Sequence, residues 1–374
     1  MALRSASDYL AGLKERNPTV YVHGERVEDI AAHPATRPVV DATAAIYDLV
    51  QAPEHEDVMT VLSPLTGATV SRCLHISQSK DDLHRRAEMA LLTSRNLGTC
   101  NYRCVGCDAF HAIASTAWEM DRELGTDYHQ RLRTFQRNAQ LGDLAVSGAL
   151  TDPKGDRSRR PSQQDDPDVY VRIAEKRDDG IVVRGAKVHQ SGALAADETL
   201  VLPGLGLRPG EEEFAVAFAV PNGAEGLTYI AQYTAFTAER MLADDLDDLG
   251  NPLYGVRETC MMVFDDVFIP WDRVFMCGEV DFAGVMVSRF ARMHRMNCGG
   301  ACKVGFGDLM IGAAQLAAEY SGIARASHVA NKVTDMVFVN ETAHACAIAA
   351  AEKGSEVPKG SGVWLPDEVF GNVA

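Results

Sequence analysis

Apolar and polar positions change their period twice along the 374 residues. Apolar side chains recur every three or four positions through Tyr9–Leu13, from about Val40 to Gln51 and from Ser79 to Leu92. That is the repeat of helices with one buried face. The same period predicts helices over Tyr102–Leu124 and Asp127–Leu141. Ser7-Asp8 offers a cap for the first helix, and Asn17-Pro18 ends it, because the residue before a proline leaves the helical region. Val20–Glu25 reads as a short hairpin. A polar stretch, Leu150–Ser162, is punctuated by Pro153, Gly155 and Pro161. Beyond it the period becomes two. Asp168–Glu175 alternates, Asp178-Asp179-Gly180 makes a turn, and Ile181–His189 returns as its partner. Strands are predicted at Thr199–Leu202, Phe214–Val220, Leu227–Tyr233 and Cys260–Ile269. Helical spacing resumes from Phe282, over Val285–Phe290, Lys303–Ala318 and His328–Ala351, with the alanine content of a helix bundle.

This pattern divides an α+β chain into a helical domain (1–138), an all-β middle domain (139–280) and a helical part (281–374). Two or three helices do not complete a bundle, so the C-terminal part is expected to be incomplete. Hydrophobic residues make up 46%, enough for a sizeable core. No run reaches the roughly 18 apolar residues of a membrane span. The N-terminus lacks the apolar stretch of a signal peptide. A cytoplasmic protein without a membrane partner is expected. The net charge of -16 argues against nucleic acid. In a reducing compartment the nine cysteines are expected as free thiols.

Two groups of soft ligands stand out. Cys100, Cys104 and Cys107 fall at i, i+4 and i+7, so on a helix they would point one way. His294, Cys298 and Cys302 repeat the four-residue spacing far downstream. Together they suit a metal or iron–sulfur site closed by folding; the alternative is buried thiols packing helix to helix. Gly299-Gly300 weakens a helix and suggests a close approach to the backbone there. The loop Thr151–Arg157 can cradle a cofactor with backbone N–H groups and Arg157, or lie on the surface. His189-Gln190-Ser191 ends a strand and either faces a ligand or closes a turn. Glu258 is a candidate general base or a surface charge. Lys303 pairs an anion or is simply solvated.

A collinear set of segments carries a resemblance that spans the chain. It comprises Tyr21–Glu25 with His33-Pro34, Arg103–Gly106 with Asp108–Phe110, Leu150–Arg157, Arg172–Gly192, Val263–Pro270, Asp281–Gly284, His294-Arg295, Gly305–Asp308 and Ile311–Ala314. On these residues the chain resembles the flavoprotein family of the 4-hydroxyphenylacetate 3-hydroxylases, and within it the 4-hydroxybutyryl-CoA dehydratase/vinylacetyl-CoA delta-isomerase branch. The resemblance implies an acyl-CoA-dehydrogenase-like fold: a helical N-terminal domain, a β-barrel middle domain and a C-terminal bundle, incomplete here. It also implies FAD and a homotetramer. The flavin would lie against Leu150, Thr151, Asp152, Pro153, Lys154, Gly155, Asp156 and Arg157, and against His189, Gln190 and Ser191. A [4Fe-4S] cluster would be held by Cys100, Cys104, His294 and Cys302, leaving Cys107 to packing. The interval from His294 to Cys302 is one residue longer than in the dehydratases. An inserted residue turns a regular helix by about 100°, unless a π-bulge absorbs it, and Cys298 is the alternative last ligand. His294, Glu258 and Lys303 would be the catalytic residues. The implied reaction removes water from 4-hydroxybutyryl-CoA to give crotonyl-CoA, through transient one-electron oxidation that makes the β-proton acidic, and isomerises vinylacetyl-CoA. A flavin-dependent aromatic hydroxylase without a cluster, and an inactive homologue, are the rival readings.

Overall fold

The computed structural model describes residues 3–374, so Met1 and Ala2 at the head of the expected first domain lie outside it. Ala6–Arg16 (α1) is capped by Ser5 rather than by Ser7-Asp8. The Ser5 hydroxyl accepts the Asp8 N–H, and the Asp8 carboxylate accepts the Ser5 N–H. Thr19–Val22 (β1) and Glu25–Val27 (β2) form the expected hairpin across His23 and Gly24, both at positive φ. Arg37–Gln51 (α2), the single turn Glu56–Met59 (α3) and the hairpin of Thr60–Leu62 (β3) with Thr69–Ser71 (β4) follow. Lys80–Leu97 (α4), Cys104–Leu124 (α5) and Tyr128–Gly142 (α6) then give the expected run of helices.

The middle of the chain contains Val146–Ala149 (β5), Arg172–Lys176 (β6), Gly180–Gln190 (β7), Glu198–Val201 (β8), Val216–Pro221 (β9) and Leu227–Ala231 (β10). It continues with Ala235–Leu242 (α7), Cys260–Pro270 (β11) and Val274–Cys277 (β12). The strands make two open sheets, in the orders β2-β1-β10-β11-β7-β6 and β12-β9-β8-β5. The expected β-barrel is therefore not closed: each sheet ends on two edge strands. Nor is this part all-β, since α7 lies within it. The first sheet also draws in the N-terminal hairpin, with β1 parallel to β10. Phe218 of one sheet meets Phe264 of the other edge to face, with ring centroids 5.9 Å apart, in the shared core.

Val280–His294 (α8) runs into a π-helical segment, Arg295–Cys302, and then into Lys303–Tyr320 (α9). Ser327–Glu352 (α10), the two-residue strands Ser355–Glu356 (β13) and Trp364–Leu365 (β14), and Glu368–Val373 (α11) complete the chain. The Lys303 N–H bonds the Cys298 carbonyl, five residues back, so the turn is wider than an α-helical one, as the π-bulge alternative expects. The close approach expected at Gly299-Gly300 is present. A Cβ on Gly300 would press on Ala347 of α10 and on Ala374. Among the described residues no helix is long and apolar enough to cross a membrane.

A second close approach sets the position of α5. A Cβ on Gly106 would collide with the Val146 carbonyl of β5, so this helix backbone lies directly on the four-stranded sheet. Gly106→Ala is expected to cost about 1–3 kcal/mol of stability. Urea unfolding checks this, and an unchanged midpoint would show that α5 can shift off the strand.

Candidate active site

Because α5 starts only at Cys104, Cys100, Cys104 and Cys107 do not share one helical face as their spacing suggested. Cys100 lies in the segment between α5 and Gly98, the left-handed cap of α4. Its thiol faces that of Cys104. Cys107 turns away. Its sulfur meets the Arg86 guanidinium and the carbonyls of Arg72 at 3.6 Å and His75 at 3.8 Å.

The π turn supplies the opposite wall. The His294 imidazole faces Cys298. Cys302 is buried and accepts the Asn101 N–H, which sets it beside Cys100. Cys298 also lies within electrostatic reach of Cys104 and Cys302. Cys100, Cys104, His294, Cys298 and Cys302 are thus one connected set. Among the described residues, however, no three or more of His, Cys, Asp and Glu close tightly enough to hold a single metal ion.

The set is electrostatically uneven. The Cys104 thiol lowers Cys100 to about 7 against the cost of burial, helped by Arg257, His294 and Ser191. Burial and the neighbouring Cys100 and Cys298 push Cys302 up to about 12. Burial disfavours the charged form of His294, but the Asp108 carboxylate and Cys298 outweigh it and raise the imidazole to about 10. The Nδ1 of His294 stands 2.8 Å from Asp108 Oδ2.

Glu258 borders the same set. It is 1% exposed, its Oε2 accepts the Gly192 N–H at 2.8 Å, and its Oε1 has no hydrogen-bond partner. Burial raises its carboxyl to about 8, and the Cys100 charge adds to that rise. The Tyr102 hydroxyl accepts the Glu258 N–H at 3.0 Å. Arg257 donates to the Ser191 hydroxyl at 2.7 and 3.0 Å. Residue 258 is therefore no surface charge: it joins the end of β7 to the thiols.

The two segments expected against a flavin lie side by side. The Thr151 carbonyl accepts the Val188 N–H at 2.9 Å and the Gln190 side chain at 3.1 Å. Lys154, Gly155 and His189 hold positive φ angles of 76°, 52° and 59°. Leu150 and Asp152 are tied inward by Lys187, whereas Thr151, Asp156 and Arg157 are exposed. Pro153 and Lys154 are half-buried, and Gln190 and Ser191 are buried. Lys303 is placed differently from the other candidates. It is exposed and lines a groove of about 660 Å³ between α9 and α10, with Met310, Met336 and Val339. Sequence reasoning gave no role to Asp108, Arg86 or Arg257. Asp108 did carry a signal: a lone acid inside the apolar run that follows Cys107.

Two adjoining loop segments beside a buried thiol, imidazole and carboxyl set, together with the matches that follow, place the chain among flavoprotein enzymes. The chain belongs to the 4-hydroxyphenylacetate 3-hydroxylase family: the N-terminal profile of that family matches residues 5–276 and the C-terminal profile residues 283–374. It is 44% identical over 371 residues to the 4-hydroxybutyryl-CoA dehydratase/vinylacetyl-CoA-Delta-isomerase of Clostridium aminobutyricum, covering 99% of this chain and 75% of that one. It is 31% identical to the oxygenase component of 4-hydroxyphenylacetate 3-monooxygenase of Thermus thermophilus, over 97% of this chain and 73% of that one. Among solved structures, an archaeal 4-hydroxybutyryl-CoA dehydratase from N. maritimus superposes with a TM-score of 0.93 at 39% identity, over all of this chain and 73% of that one. An oxygenase component of 4-hydroxyphenylacetate 3-monooxygenase complexed with FAD superposes with a TM-score of 0.85 at 29% identity, over 99% and 75%.

Proposed function

We propose that this protein is a CoA-ester lyase and isomerase, which dehydrates 4-hydroxybutyryl-CoA to crotonyl-CoA and isomerises vinylacetyl-CoA, using FAD and a [4Fe-4S] cluster. The observation that carries this reading is the connected thiol and imidazole set beside buried Glu258. A flavin hydroxylase has no use for four cysteines and a histidine gathered at that point. Relatives named for the dehydratase and isomerase activity support it.

The residues fit both groups. A cluster takes one ligand per iron and spreads its donors wider than a single ion does. The thiolate-rich set matches that in kind and in its loose spacing. Cys100, Cys104, His294 and Cys302 would hold it, with Cys298 the alternative to Cys302. The loop Leu150–Arg157 and His189–Ser191 would hold FAD, with exposed Arg157 suited to a diphosphate. When bound, these groups supply reversible one-electron transfer and a Lewis-acidic iron. The chain's own part is to exclude water, orient the acyl group and move protons. Glu258, titrating near 8, can take up or release a proton at neutral pH. Lys303 in its groove would meet an anionic portion of the substrate.

The reading includes the three-part division at 138 and 280 in an acyl-CoA-dehydrogenase-like arrangement, a cytoplasmic location and a homo-oligomer. Exposed Met310, Tyr320, Phe338 and Val339 on α9 and α10 support association through that face.

Anaerobic purification followed by a visible spectrum, iron and sulfide analysis and assay with 4-hydroxybutyryl-CoA tests the function. Flavin, about four irons per chain and crotonyl-CoA formation are expected. Flavin without iron would favour the hydroxylase, and a colourless protein an inactive homologue.

Glu258 also makes a pH prediction. Its folded pKa, about 8, lies above the ordinary carboxyl value, so the fold holds a proton that the unfolded chain releases. Its contribution is full at acid pH and is lost as pH rises toward 8. Glu258→Gln is expected to flatten the fall in melting temperature between about pH 5 and 8. Parallel curves for both proteins would refute the buried, protonated carboxyl.

A further inference from the structure

The buried groups behind His294 form a second layer. Asp108 is fully buried on α5, one turn beyond Cys104. Its Oδ2 meets His294 Nδ1 at 2.8 Å. Its Oδ1 accepts from Arg86 Nη2 at 3.0 Å and from Asn297 Nδ2 at 3.2 Å. Arg86 and Asn297 are each 1% exposed. Asn297 comes from the π turn itself, and Phe290 stacks on the imidazole with centroids 5.4 Å apart. Both oxygens of the carboxylate are thus engaged, and the plane of the ring is set.

An ionised carboxylate can only accept. Facing Nδ1, it requires the proton there, so Nε2 is the nitrogen that can exchange its proton for a metal. Arg86 supplies the charge that keeps a buried acid ionised, and Asn297 stops the carboxylate from rotating. We propose that Asp108, clamped by Arg86 and Asn297, is a positioning residue that fixes the Nδ1–H tautomer of His294 and aims Nε2 at the thiol set. The proposal rests on the reading of His294 as a cluster ligand. Outer carboxylates of this kind orient a ligating histidine and raise its basicity.

The test compares the purified wild-type protein with Asp108→Asn, Asp108→Glu, His294→Ala and the double variant D108N/H294A. Iron loss to a chelator and the electron paramagnetic resonance spectrum of the reduced protein are recorded. D108N is expected to weaken iron retention by about 10–100-fold and to change the spectrum. D108E keeps the charge opposite Arg86 and should recover part of the retention. D108N should add nothing on top of His294→Ala, because Asp108 acts through the imidazole. Additive losses, or wild-type retention and spectrum in both D108N and D108E, overturn the proposal while leaving the ligand assignment intact. Wild-type retention in His294→Ala overturns the ligand assignment and the proposal with it. Should D108N fail to fold, D108E alone decides: an unchanged spectrum and release rate refute the positioning role, and a changed pair supports it.

Discussion

Cys104→Ala is expected to abolish iron binding and dehydration while leaving flavin in place. Cys104 opens α5 and faces Cys100, and Cys298 lies within its electrostatic reach, so it is the thiol that joins the two halves of the set. The segments proposed for the flavin are Leu150–Arg157 and the end of β7, and Cys104 makes no part of them. Alanine at the start of a helix costs little backbone stability, so loss of iron would not reflect unfolding. Iron analysis of the anaerobically purified variant checks this. Iron at the wild-type level would remove Cys104 from the ligand set. Cys107→Ala is the matched control and should keep its iron, because that sulfur is taken up by Arg86 and the Arg72 and His75 carbonyls.

Lys187→Met is expected to cost about 3–5 kcal/mol and to release flavin. Lys187 Nζ lies 2.6 Å from Asp152 Oδ1 and donates to the carbonyls of Leu150 at 2.9 Å and Leu202 at 2.7 Å. Both charged side chains are 2% exposed. One ammonium therefore ties the start of the loop proposed for the flavin to β7 and to the end of β8. Methionine keeps the bulk but leaves the Asp152 carboxylate buried and unpaired. Adding Asp152→Asn removes that charge and should restore part of the stability. Urea unfolding with flavin retention on gel filtration measures both effects. A loss below about 1 kcal/mol would class the pair with weak surface ion pairs and refute the argument.

Much of the fold was legible because helices and strands leave local periodic traces. The helical spacing of α4 from Ser79 and the strand at β11 appear in the sequence as written. Short or irregular elements left no such trace: β5, β12 and α7 were missed, each being eight residues or fewer. The barrel was wrong for another reason. Alternation reports which face of a strand is buried, not which edges pair, and closure is a matter of edges.

The candidate site divides along the same line. Residue types and spacing marked Cys100, Cys104, His294, Cys298 and Cys302, because soft ligands are rare enough to notice when they recur at intervals of four. They could not show that α5 begins at Cys104, which leaves Cys100 off the helix, or that Cys107 is taken up by Arg86. Nor could they show that the stretch from His294 to Cys302 runs as a π turn. Sequence alone determined the kinds of donor, the order of helices and strands, and the family resemblance, all of which depend on residues close in the chain or matched in line. Only the tertiary structure decided which donors meet, that Glu258 is buried against them, and that Asp108 stands behind His294. Those contacts join residues more than a hundred positions apart, and their geometry is set by the packing of whole elements, which no local pattern encodes.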